Sequence, residues 1–323
     1  MKLLVTGVGG FVGGHLVAWL QAHRPEVELW GVVRPETASP DSTELTLLTA
    51  DLEDPAATEA LFDRVQPDAI IHLAAQASVH RSWEDPEGTL RTNVLGLLHL
   101  LEAIRRRRLA PRVLVVGSAE EYGVSCSHAS KVREDAPLQP TSPYAVSKVA
   151  QGYLALQYVL SHAIPIVRTR TFQATGPGRS EIFAESSFAR QIAEIEAGRQ
   201  DAVLRVGNLD SVRDFLDVRD VVRAYWLLVE KGEPGEVYNV CSGRGLAIRE
   251  VLTRLLTHSR ADIEIRVDES RLRPADVPAV VGDFTRLREA TGWKPAIALD
   301  TSLRDLLDHW RARVAAAASS PTR

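Results

Sequence analysis

Two hydrophobic patterns alternate through the first half of the chain. Short continuous apolar runs, typical of buried parallel strands, are separated by longer segments in which apolar residues recur with helical spacing. The predicted strands are 3–5, 29–33, 45–48, 69–71, 113–116 and 166–167, and the predicted helices are about 11–23, 56–65, 88–108 and 144–162. This alternation predicts an α/β fold with a doubly wound parallel (Rossmann) sheet.

The alternation ends after residue 177. A helix is predicted near 184–197, and the apolar run 237–240 predicts a strand that returns to the sheet. A smaller, discontinuous C-terminal lobe is therefore expected beside the sheet. The larger domain is predicted to contain 1–177, with 212–243 returning to it. The smaller lobe is predicted to contain 178–211 and 244–314, and a frayed tail is predicted at 315–323.

Composition narrows the class of protein. The 323 residues are 45% hydrophobic and 25% charged, as in an ordinary soluble globular protein. A net charge of −4 provides no basic field for nucleic acid, so no nucleic-acid partner is expected. Cys126 and Cys241 are isolated and the nine histidines show no ligand spacing, which predicts no metal site. Because the first strand begins at Lys2 and no apolar run is long enough to span a membrane, a cytoplasmic protein without membrane contact is expected.

The first βα turn is rich in glycine. Gly7, Gly10 and Gly13 follow the first predicted strand and open the first predicted helix, around Phe11 and Val12. Glycines at these places permit a tight turn and let backbone amides approach a pyrophosphate at the helix N-terminus. Glycines also serve close helix–sheet packing, but this position favours dinucleotide binding.

The next two strand ends bear on the choice between NAD and NADP. The second strand ends at Arg34 with no carboxylate before Glu36, and an arginine there favours the 2′-phosphate of NADP over the ribose diol of NAD. The alternative is a simply exposed arginine. After the third strand, Asp51 and Leu52 could contact the adenine; Asp51 could equally cap the following helix, although Asp54 is better placed for that role.

Tyr144 and Lys148 carry the candidate chemistry. Residues four apart share one helix face, so the phenol and the ammonium would point into one cleft. Ser118 and Glu120 follow the fifth strand, and loops at the carboxyl ends of parallel strands line the same crevice. For hydride transfer at a carbonyl or alcohol, Ser118 would bind the oxygen, Tyr144 would exchange its proton, and Lys148 would lower the phenol pKa.

Together these motifs resemble a known family. Gly7-x-x-Gly10-x-x-Gly13, Asp51-Leu52, His72-Leu73-Ala74-Ala75-Gln76, Asn93, Ser118 and Tyr144-x-x-x-Lys148 are similar to the pattern of extended short-chain dehydrogenases/reductases, over about residues 2–297. The resemblance implies that NADP(H) or NAD(H) is the cofactor and that serine, tyrosine and lysine are catalytic. It further implies cofactor contacts for Leu73, Ala74, Ala75 and Asn93.

The second half resembles the GDP-mannose enzymes of this family. Segments 205–215, 271–277, 282–283 and 292–295 are similar to their nucleotide-sugar segments. By this likeness the smaller lobe binds a GDP-sugar, Arg213 and Arg273 hold its diphosphate through their bidentate guanidinium groups, and Asp276 contacts guanine or ribose. The other implied substrate residues are Gln173, Arg190, Arg205 and Asn208. Gln173 departs from the usual asparagine, which puts the contact of that asparagine in doubt.

Several activities are compatible with this resemblance. Segments 82–83, 118–123 and 142–148 look most like the members that reduce the C4 ketone of GDP-6-deoxy-4-keto-D-mannose to GDP-D-rhamnose. Glu120 matches the glutamate of the sister GDP-mannose 4,6-dehydratases, a lyase group that uses NADP transiently, so that activity is the main alternative. A nucleotide-sugar epimerase is another. A non-catalytic dinucleotide-binding regulator is a minor one, because such proteins often lose the tyrosine or the lysine.

The helices near 88–108 and 144–162 predict a homodimer. Both have apolar residues on more than one face: Leu97, Leu98, Leu100 and Leu101, then Tyr153, Leu154, Leu156 and Tyr158. Apolar surface beyond one core-facing stripe indicates a helix–helix contact, and in the family these helices often form a four-helix bundle between subunits.

Overall fold

A seven-stranded parallel sheet forms the centre of the protein. The computed structural model describes residues 1–35, 45–128, 130–271 and 277–319. Its strands are β1 (Lys2–Thr6), β2 (Glu28–Val33), β3 (Leu45–Thr49), β4 (Ala69–His72), β5 (Arg112–Ser118), β6 (Ile166–Thr171), β7 (Gln173–Thr175), β8 (Val203–Val206), β9 (Val212–Asp217), β10 (Val237–Val240), β11 (Gly245–Ala247), β12 (Glu264–Val267) and β13 (Ala279–Val280). The main sheet has the order β10-β6-β5-β4-β1-β2-β3, all neighbours parallel. The predicted doubly wound α/β fold is confirmed.

Helices cover both faces of this sheet. The helices of the described residues are α1 (Phe11–His23), α2 (Pro55–Arg64), α3 (Val79–Glu84), α4 (Pro86–Leu90), α5 (Gly96–Arg106), α6 (Pro143–His162), α7 (Ala184–Glu196), α8 (Val218–Lys231), α9 (Ile248–Thr257), α10 (Thr285–Thr291) and α11 (Leu299–Ser319), of which five cover the sheet as follows. On one face α1 and α8 pack through buried side chains such as Leu16 and Tyr225. On the other face α2, α5 and α6 pack through Leu61, Leu101 and Ala155.

The predicted helix over 88–108 is interrupted. Between α4 and α5, residues Arg91–Leu95 form one π-helical turn. A π turn contains one residue more than a regular helical turn, and here it carries the buried Asn93. The other early helices and the strand at 237–240, which pairs with β6, are confirmed within a residue or two.

The second half contributes a smaller group of elements. β7, β11 and β13 each pair with β9, and β12 pairs with β8. Helices α7, α9 and α11 enclose a third cluster of buried residues, among them Phe188, Leu252 and Leu306. The exact boundaries between the two domains stay a prediction.

The C-terminal end corrects one expectation. Helix α11 continues to Ser319, so the segment predicted to fray from Ala315 is helical over its first five residues. The apolar face of α11, including Leu303 and Trp310, is buried against the third cluster and favours continuation of the helix.

The described ranges contain neither a membrane-spanning helix nor a group of metal ligands. No helix there has both the length and the apolar character needed to cross a membrane. Within the same ranges, no three or more His, Cys, Asp or Glu side chains are grouped as metal ligands would be.

Candidate active site

The glycine turn lies at the carboxyl end of β1. Gly7 has φ 70°, and a Cβ on it would lie 2.7 Å from the Ala74 backbone nitrogen. A Cβ on Gly13 would lie 2.5 Å from the Val8 carbonyl oxygen. Both positions therefore require glycine. Gly10 is the N-cap of α1, whose first turn has no acidic residue, so the helix N-terminus suits an anion such as a pyrophosphate.

The loop after β4 closes against this turn. Leu73 donates its backbone N–H to the Thr6 carbonyl (3.1 Å), and Ala74 donates its own to Thr6 Oγ1 (3.3 Å). Leu73, Ala74 and Ala75 are all half-buried. The structure thus brings the predicted cofactor residues of two strand ends together, and the cradle fits a dinucleotide. Phe11 and Val12 are half-buried at the start of α1 beside it.

The predicted adenine end is more open. Arg34 is 53% exposed, with Nη2 3.7 Å from Glu53 Oε1. Asp54 caps α2 by accepting from the Ala56 and Ala57 amides, which confirms it as the better-placed cap. Leu52 is buried in the core. The contacts of Arg34, Asp51 and Leu52 with a cofactor stay predictions.

Asn93 lies behind the cleft. Its Nδ2 donates to Ser147 Oγ (2.8 Å) and to the Gln76 carbonyl (3.1 Å), and its Oδ1 accepts from the Gln76 backbone N–H (2.8 Å). Ser147 Oγ in turn donates to the Tyr144 carbonyl (2.7 Å). These bonds connect the loop after β4 to α6, so Asn93 holds these two elements together. Direct contact of Asn93 with the cofactor stays a prediction.

Ser118 and Tyr144 meet at the carboxyl end of β5. Ser118 ends that strand, and Tyr144 lies in the first turn of α6, which begins with Pro143 after the N-cap Ser142. Burial raises the pKa of Tyr144 to about 12, and its hydrogen bond with Ser118 opposes that rise. The phenol is therefore protonated at neutral pH and can donate its proton.

Lys148 lies one helical turn further along α6. Its Nζ donates to the Val116 carbonyl (2.9 Å) and to Gln151 Oε1 (2.8 Å). Burial lowers the pKa of Lys148 to about 8, while the negative charge of Glu121 opposes that fall. The predicted lowering of the Tyr144 pKa by Lys148 stays a prediction, since burial dominates the phenol.

Glu120 also belongs to this group. It lies in the short 3₁₀ turn after β5, where its backbone N–H donates to Ser118 Oγ (3.2 Å). The half-buried carboxylate contributes to the raised pKa of Tyr144. Ser118, Glu120 and Tyr144 therefore lie together, and Lys148 follows Tyr144 by one helical turn with its ammonium against β5. Their catalytic roles stay predictions.

Sequence reasoning assigned no role to the neighbouring Glu121. Its Oε1 accepts from the Ser118 backbone N–H (2.8 Å), and its Oε2 accepts from Arg170 Nε (2.9 Å). Both members of the Glu121–Arg170 ion pair are buried. The pair fixes the backbone of Ser118. The pattern Ser118-x-x-Glu121, a capping box, was the available signal.

Arg179 was missed as well. Its guanidinium carbon lies 3.3 Å from the centroid of the Phe183 ring and 5.2 Å from that of Phe11, and its Nε is 3.7 Å from Glu185 Oε1. The positive charge of Arg179 lowers the pKa of Tyr144, against the dominant effect of burial. Arg179 thus contacts Phe11 at the start of α1 and influences Tyr144, and its place directly after Gly178 was the only signal in the sequence.

Gln173 faces the same acidic side chain. Burial raises the pKa of Glu185, and the charge of Arg179 opposes that rise. The nearby polar side chains of Gln173 and Thr175 oppose it further, although neither carboxylate oxygen of Glu185 accepts a hydrogen bond within the described residues. The side chain of Gln173 is therefore oriented towards Glu185.

The remaining predicted substrate residues are more dispersed. Arg190 pairs with Glu181 (2.6 Å) and with Glu194 (2.7 Å). Arg205 is exposed on β8, where its backbone exchanges hydrogen bonds with Gln191.

Asn208 and Arg213 both make hydrogen bonds to nearby residues. Asn208 Nδ2 donates to Ser211 Oγ (2.8 Å). Arg213 Nη1 donates to the carbonyls of Val212 and Val277, both at 2.9 Å. Burial raises the pKa of the Cys126 thiol, the charge of Glu120 adds to that rise and the charge of Arg213 opposes it. Arg273 and Asp276 lie outside the described residues.

Comparisons with known proteins agree with this geometry. A family model described as GDP-mannose 4,6 dehydratase matches residues 4–306. GDP-6-deoxy-D-mannose reductase of Pseudomonas aeruginosa is 40% identical over 97% of this chain and 98% of that protein. The structure of RMD from Pseudomonas aeruginosa complexed with NADPH has a TM-score of 0.85 at 39% identity, covering 97% of this chain and 99% of that one.

A more distant solved structure has the same fold. Thermus thermophilus UDP-glucose 4-epimerase in complex with NAD has a TM-score of 0.86 at 28% identity, covering 96% of this chain and 99% of that one. The chain belongs to the GDP-mannose 4,6-dehydratase family, among the extended short-chain dehydrogenases/reductases.

Proposed function

We propose that this chain is an NAD(P)-dependent nucleotide-sugar oxidoreductase that reduces the C4 ketone of GDP-6-deoxy-4-keto-D-mannose to give GDP-D-rhamnose. The observation that carries the proposal is the convergence of Ser118, Tyr144 and Lys148 beside the glycine turn. The 40% identity to a protein named GDP-6-deoxy-D-mannose reductase supports this substrate.

The residues of the cleft would act as follows. The bound nicotinamide cofactor supplies the hydride. Ser118 and Tyr144 donate hydrogen bonds to the ketone oxygen, and Tyr144 transfers its phenolic proton to that oxygen as negative charge develops on it. Lys148 holds the cofactor ribose with the proton of its ammonium that is not directed to Val116 or Gln151.

The cofactor site would extend from the glycine turn to the ends of β2 and β3. Gly7, Gly10, Phe11, Val12 and Gly13 would hold the pyrophosphate, with Leu73, Ala74 and Ala75 against the other side of the dinucleotide. Arg34 would favour NADP(H) through the 2′-phosphate, and Asp51 and Leu52 would contact the adenine. The exposed guanidinium of Arg34 has a 3.7 Å ion pair with Glu53 and a 3.4 Å hydrogen bond to Thr92 Oγ1, and such weak surface contacts can be exchanged for a phosphate.

The GDP-sugar would lie across the cleft from the cofactor. We assign its diphosphate to Arg213 and Arg273, and its guanine or ribose to Asp276. Gln173 would act at the sugar end, because its side chain already faces Glu185 beside Arg179. Arg190, Arg205 and Asn208 complete the proposed substrate residues.

Turnover of the keto-sugar tests this assignment. GDP-6-deoxy-4-keto-D-mannose should oxidise NADPH stoichiometrically, with GDP-D-rhamnose as the product. Tyr144→Phe should lower the rate about 10²–10⁴-fold, as expected for loss of a general acid. Tyr153→Phe is the matched control, since Tyr153 is an exposed tyrosine on the same helix. Near-normal turnover by Tyr144→Phe would contradict the proposal.

GDP-mannose 4,6-dehydratase is the second candidate, because Glu120 provides a carboxylate beside Tyr144. Such a carboxylate could remove the C5 proton of GDP-mannose and assist loss of the C6 hydroxyl as water. Incubation with GDP-mannose, with and without NADPH, separates the two activities by product and cofactor use. Conversion of GDP-mannose without net cofactor consumption would replace the reductase assignment.

We further propose a cytoplasmic homodimer through the face formed by α5 and α6. The prediction that Leu97, Leu100, Leu101 and Tyr158 form this contact is wrong, because these side chains are buried within the core of the chain itself. Support comes instead from three exposed residues seven positions apart on α6, namely Val146 (45%), Tyr153 (58%) and Leu160 (77%). We call these three residues the α6 stripe.

A further inference from the structure

Gln151 is in direct contact with the ammonium of the catalytic lysine. It lies on α6 three residues after Lys148, and its Oε1 accepts a hydrogen bond of 2.8 Å from Lys148 Nζ. The only other acceptor of that ammonium among the described residues is the Val116 carbonyl at 2.9 Å. Lys148 is 4% exposed and Gln151 is 1% exposed. A buried ammonium is strongly dependent on such acceptors, so Gln151 supplies half of its described hydrogen bonds.

Gln151 also lines a cavity of about 220 Å³. Gln151, Glu121, Glu134, Arg168 and Arg170 contribute its polar lining. The volume is many times that of a single water, and the lining offers both donors and acceptors. Gln151 therefore contacts Lys148 and also lines this cavity.

Two buried nitrogens near this cavity indicate that its polar groups are not satisfied by protein alone. Gln151 Nε2 and Arg168 Nε have no hydrogen-bond partner within the described part of the chain. Buried donors are nearly always bonded to protein or ordered water. Because Gln151 Oε1 is held by Lys148, the orientation of the amide is fixed from the lysine side.

We propose that Gln151 is a positioning residue of the reaction, which orients the Lys148 ammonium towards the cofactor and sets its proton affinity through one neutral acceptor. This inference deepens the proposed function, since it rests on Lys148 acting in the cleft. The role is separate from the Tyr-x-x-x-Lys pattern, which does not include position 151.

The other charges around Lys148 are few and placed on identifiable elements. Glu121, in the turn after β5, favours the charged ammonium, and Lys148 in turn lowers the pKa of the buried His72 on β4. Arg170 on β6 pairs with Glu121 and so offsets its charge. Arg168, also on β6, lines the cavity. Glu134 also lines the cavity, and α6 itself carries Tyr144 one turn before Lys148 and Tyr153, Tyr158 and His162 after it. A change of charge at position 151 therefore acts at closer range than most of these groups.

A pair of variants separates this role from simple packing. Gln151→Glu keeps an oxygen acceptor at the same reach and adds a negative charge, which should raise the pKa of Lys148 by about 1–3 units. Gln151→Met keeps a side chain of similar length but removes the acceptor, which should lower that pKa. A merely structural role would not move the two variants in opposite directions.

Lysine-selective ¹³C NMR measures this pKa directly. The chain has only five lysines, and the Cε resonance of Lys148 is identified by its absence in Lys148→Arg. In the unmodified chain this resonance should titrate near pH 8, well below the usual range of lysine. An unchanged midpoint in both variants, or shifts in the same direction, overturns the proposal. If Gln151→Met does not fold, failure of Gln151→Glu to raise the midpoint overturns it alone.

Turnover gives the second readout. If the ammonium form of Lys148 is required, kcat/KM for the keto-sugar should fall at high pH with the midpoint seen by NMR. That midpoint should lie at a higher pH in Gln151→Glu and at a lower pH in Gln151→Met. NMR shifts in opposite directions without any turnover of the keto-sugar would uphold the role of Gln151 in holding Lys148 and reject the proposed function. Turnover of the keto-sugar without those NMR shifts would uphold the proposed function and reject the role of Gln151.

Discussion

His72 is a buried titratable group at the end of β4, beside Thr6, the last residue of β1 before the glycine turn. Its Nδ1 is 2.9 Å from Thr6 Oγ1, and burial, assisted by the charge of Lys148, lowers its pKa to about 3. The unfolded chain takes up a proton near pH 6.5, whereas folded His72 stays neutral until about pH 3. The unfolded state therefore binds more protons in this window, and stability falls as the pH is lowered through it.

The first prediction concerns this window. As the pH is lowered from 6.5 to 4, His72→Gln should lose less free energy of unfolding than the unmodified chain. The slope of the free energy of unfolding against pH should be smaller by up to about 1.4 kcal/mol per pH unit. Urea unfolding at a series of pH values measures the slope. His80→Gln, on the exposed part of α3, is the control. Equal slopes for all three proteins would show that His72 does not carry the acid sensitivity.

The second prediction concerns the buried Glu121–Arg170 pair. Arg170→Met should destabilise the fold by about 3–5 kcal/mol, because it leaves the Glu121 carboxylate buried without its partner. The double variant with Glu121→Gln should recover part of that loss, although Ser118 keeps only a neutral acceptor. Denaturant unfolding measures both effects. Arg106→Met, which removes a surface pair with Glu102, should change stability by less than about 1 kcal/mol.

Short-range patterns explain which site residues could be predicted. Ser118, Glu120, Tyr144 and Lys148 lie at strand ends or at helical spacing, so their neighbourhood follows from the fold class alone. Arg179 could not be found this way, since its neighbours Phe11, Phe183 and Glu185 meet only through tertiary packing. Arg170 could not be predicted either, because nothing in the sequence distinguishes it from Arg168, the other arginine of β6.

At the scale of elements, the α6 stripe gives the third prediction. Leu160→Lys should weaken the proposed homodimer, because it places a charge in an apolar contact between helices. Analytical ultracentrifugation over a range of concentrations should show a shift towards monomer. Val267→Lys is the matched control, as Val267 is 66% exposed on β12, away from α6. A monomer in the unmodified chain, or a dimer unaffected by Leu160→Lys, would exclude this face.

Element positions followed from hydrophobic periodicity, but the π turn did not. Apolar residues continue at helical spacing through 88–108, so the pattern predicts one uninterrupted helix. The extra residue at Arg91–Leu95 is retained because Asn93 bonds to Gln76 and Ser147, partners far apart in the sequence. The apolar surplus on these helices was likewise read as an interface, whereas most of it packs against the sheet.

At the scale of the whole molecule, α11 holds the smaller lobe together. Leu303, Leu306, Leu307 and Trp310 are buried, and Trp310 Nε1 donates to Ser186 Oγ (2.9 Å) at the start of α7. Burial of each such side chain contributes about 1.5–3 kcal/mol. Their sum is comparable to the total stability of a typical domain, about 5–15 kcal/mol.

The fourth prediction follows from this helix. A chain ending at residue 298 should lose the cooperative thermal transition of the smaller lobe and its affinity for GDP, because the third cluster is opened. A chain ending at residue 319 should melt as the full chain does. Circular dichroism and calorimetric titration with GDP measure the two properties. Cooperative melting and GDP binding by the shorter chain would show that α11 is dispensable.

The π turn at Arg91–Leu95 also has a consequence for changes in chain length. Because a π turn takes up its extra residue within one wider turn, removal of one residue would restore a continuous regular helix with α4 and α5 in nearly the same orientation. The side chains of the turn itself, which include the buried Asn93, would be displaced. Asn93 would then leave Gln76 and Ser147 although every side chain of the site was still encoded. A single-codon deletion here is therefore a sharper perturbation than most substitutions, and the length of this turn is itself part of the information that specifies the active site.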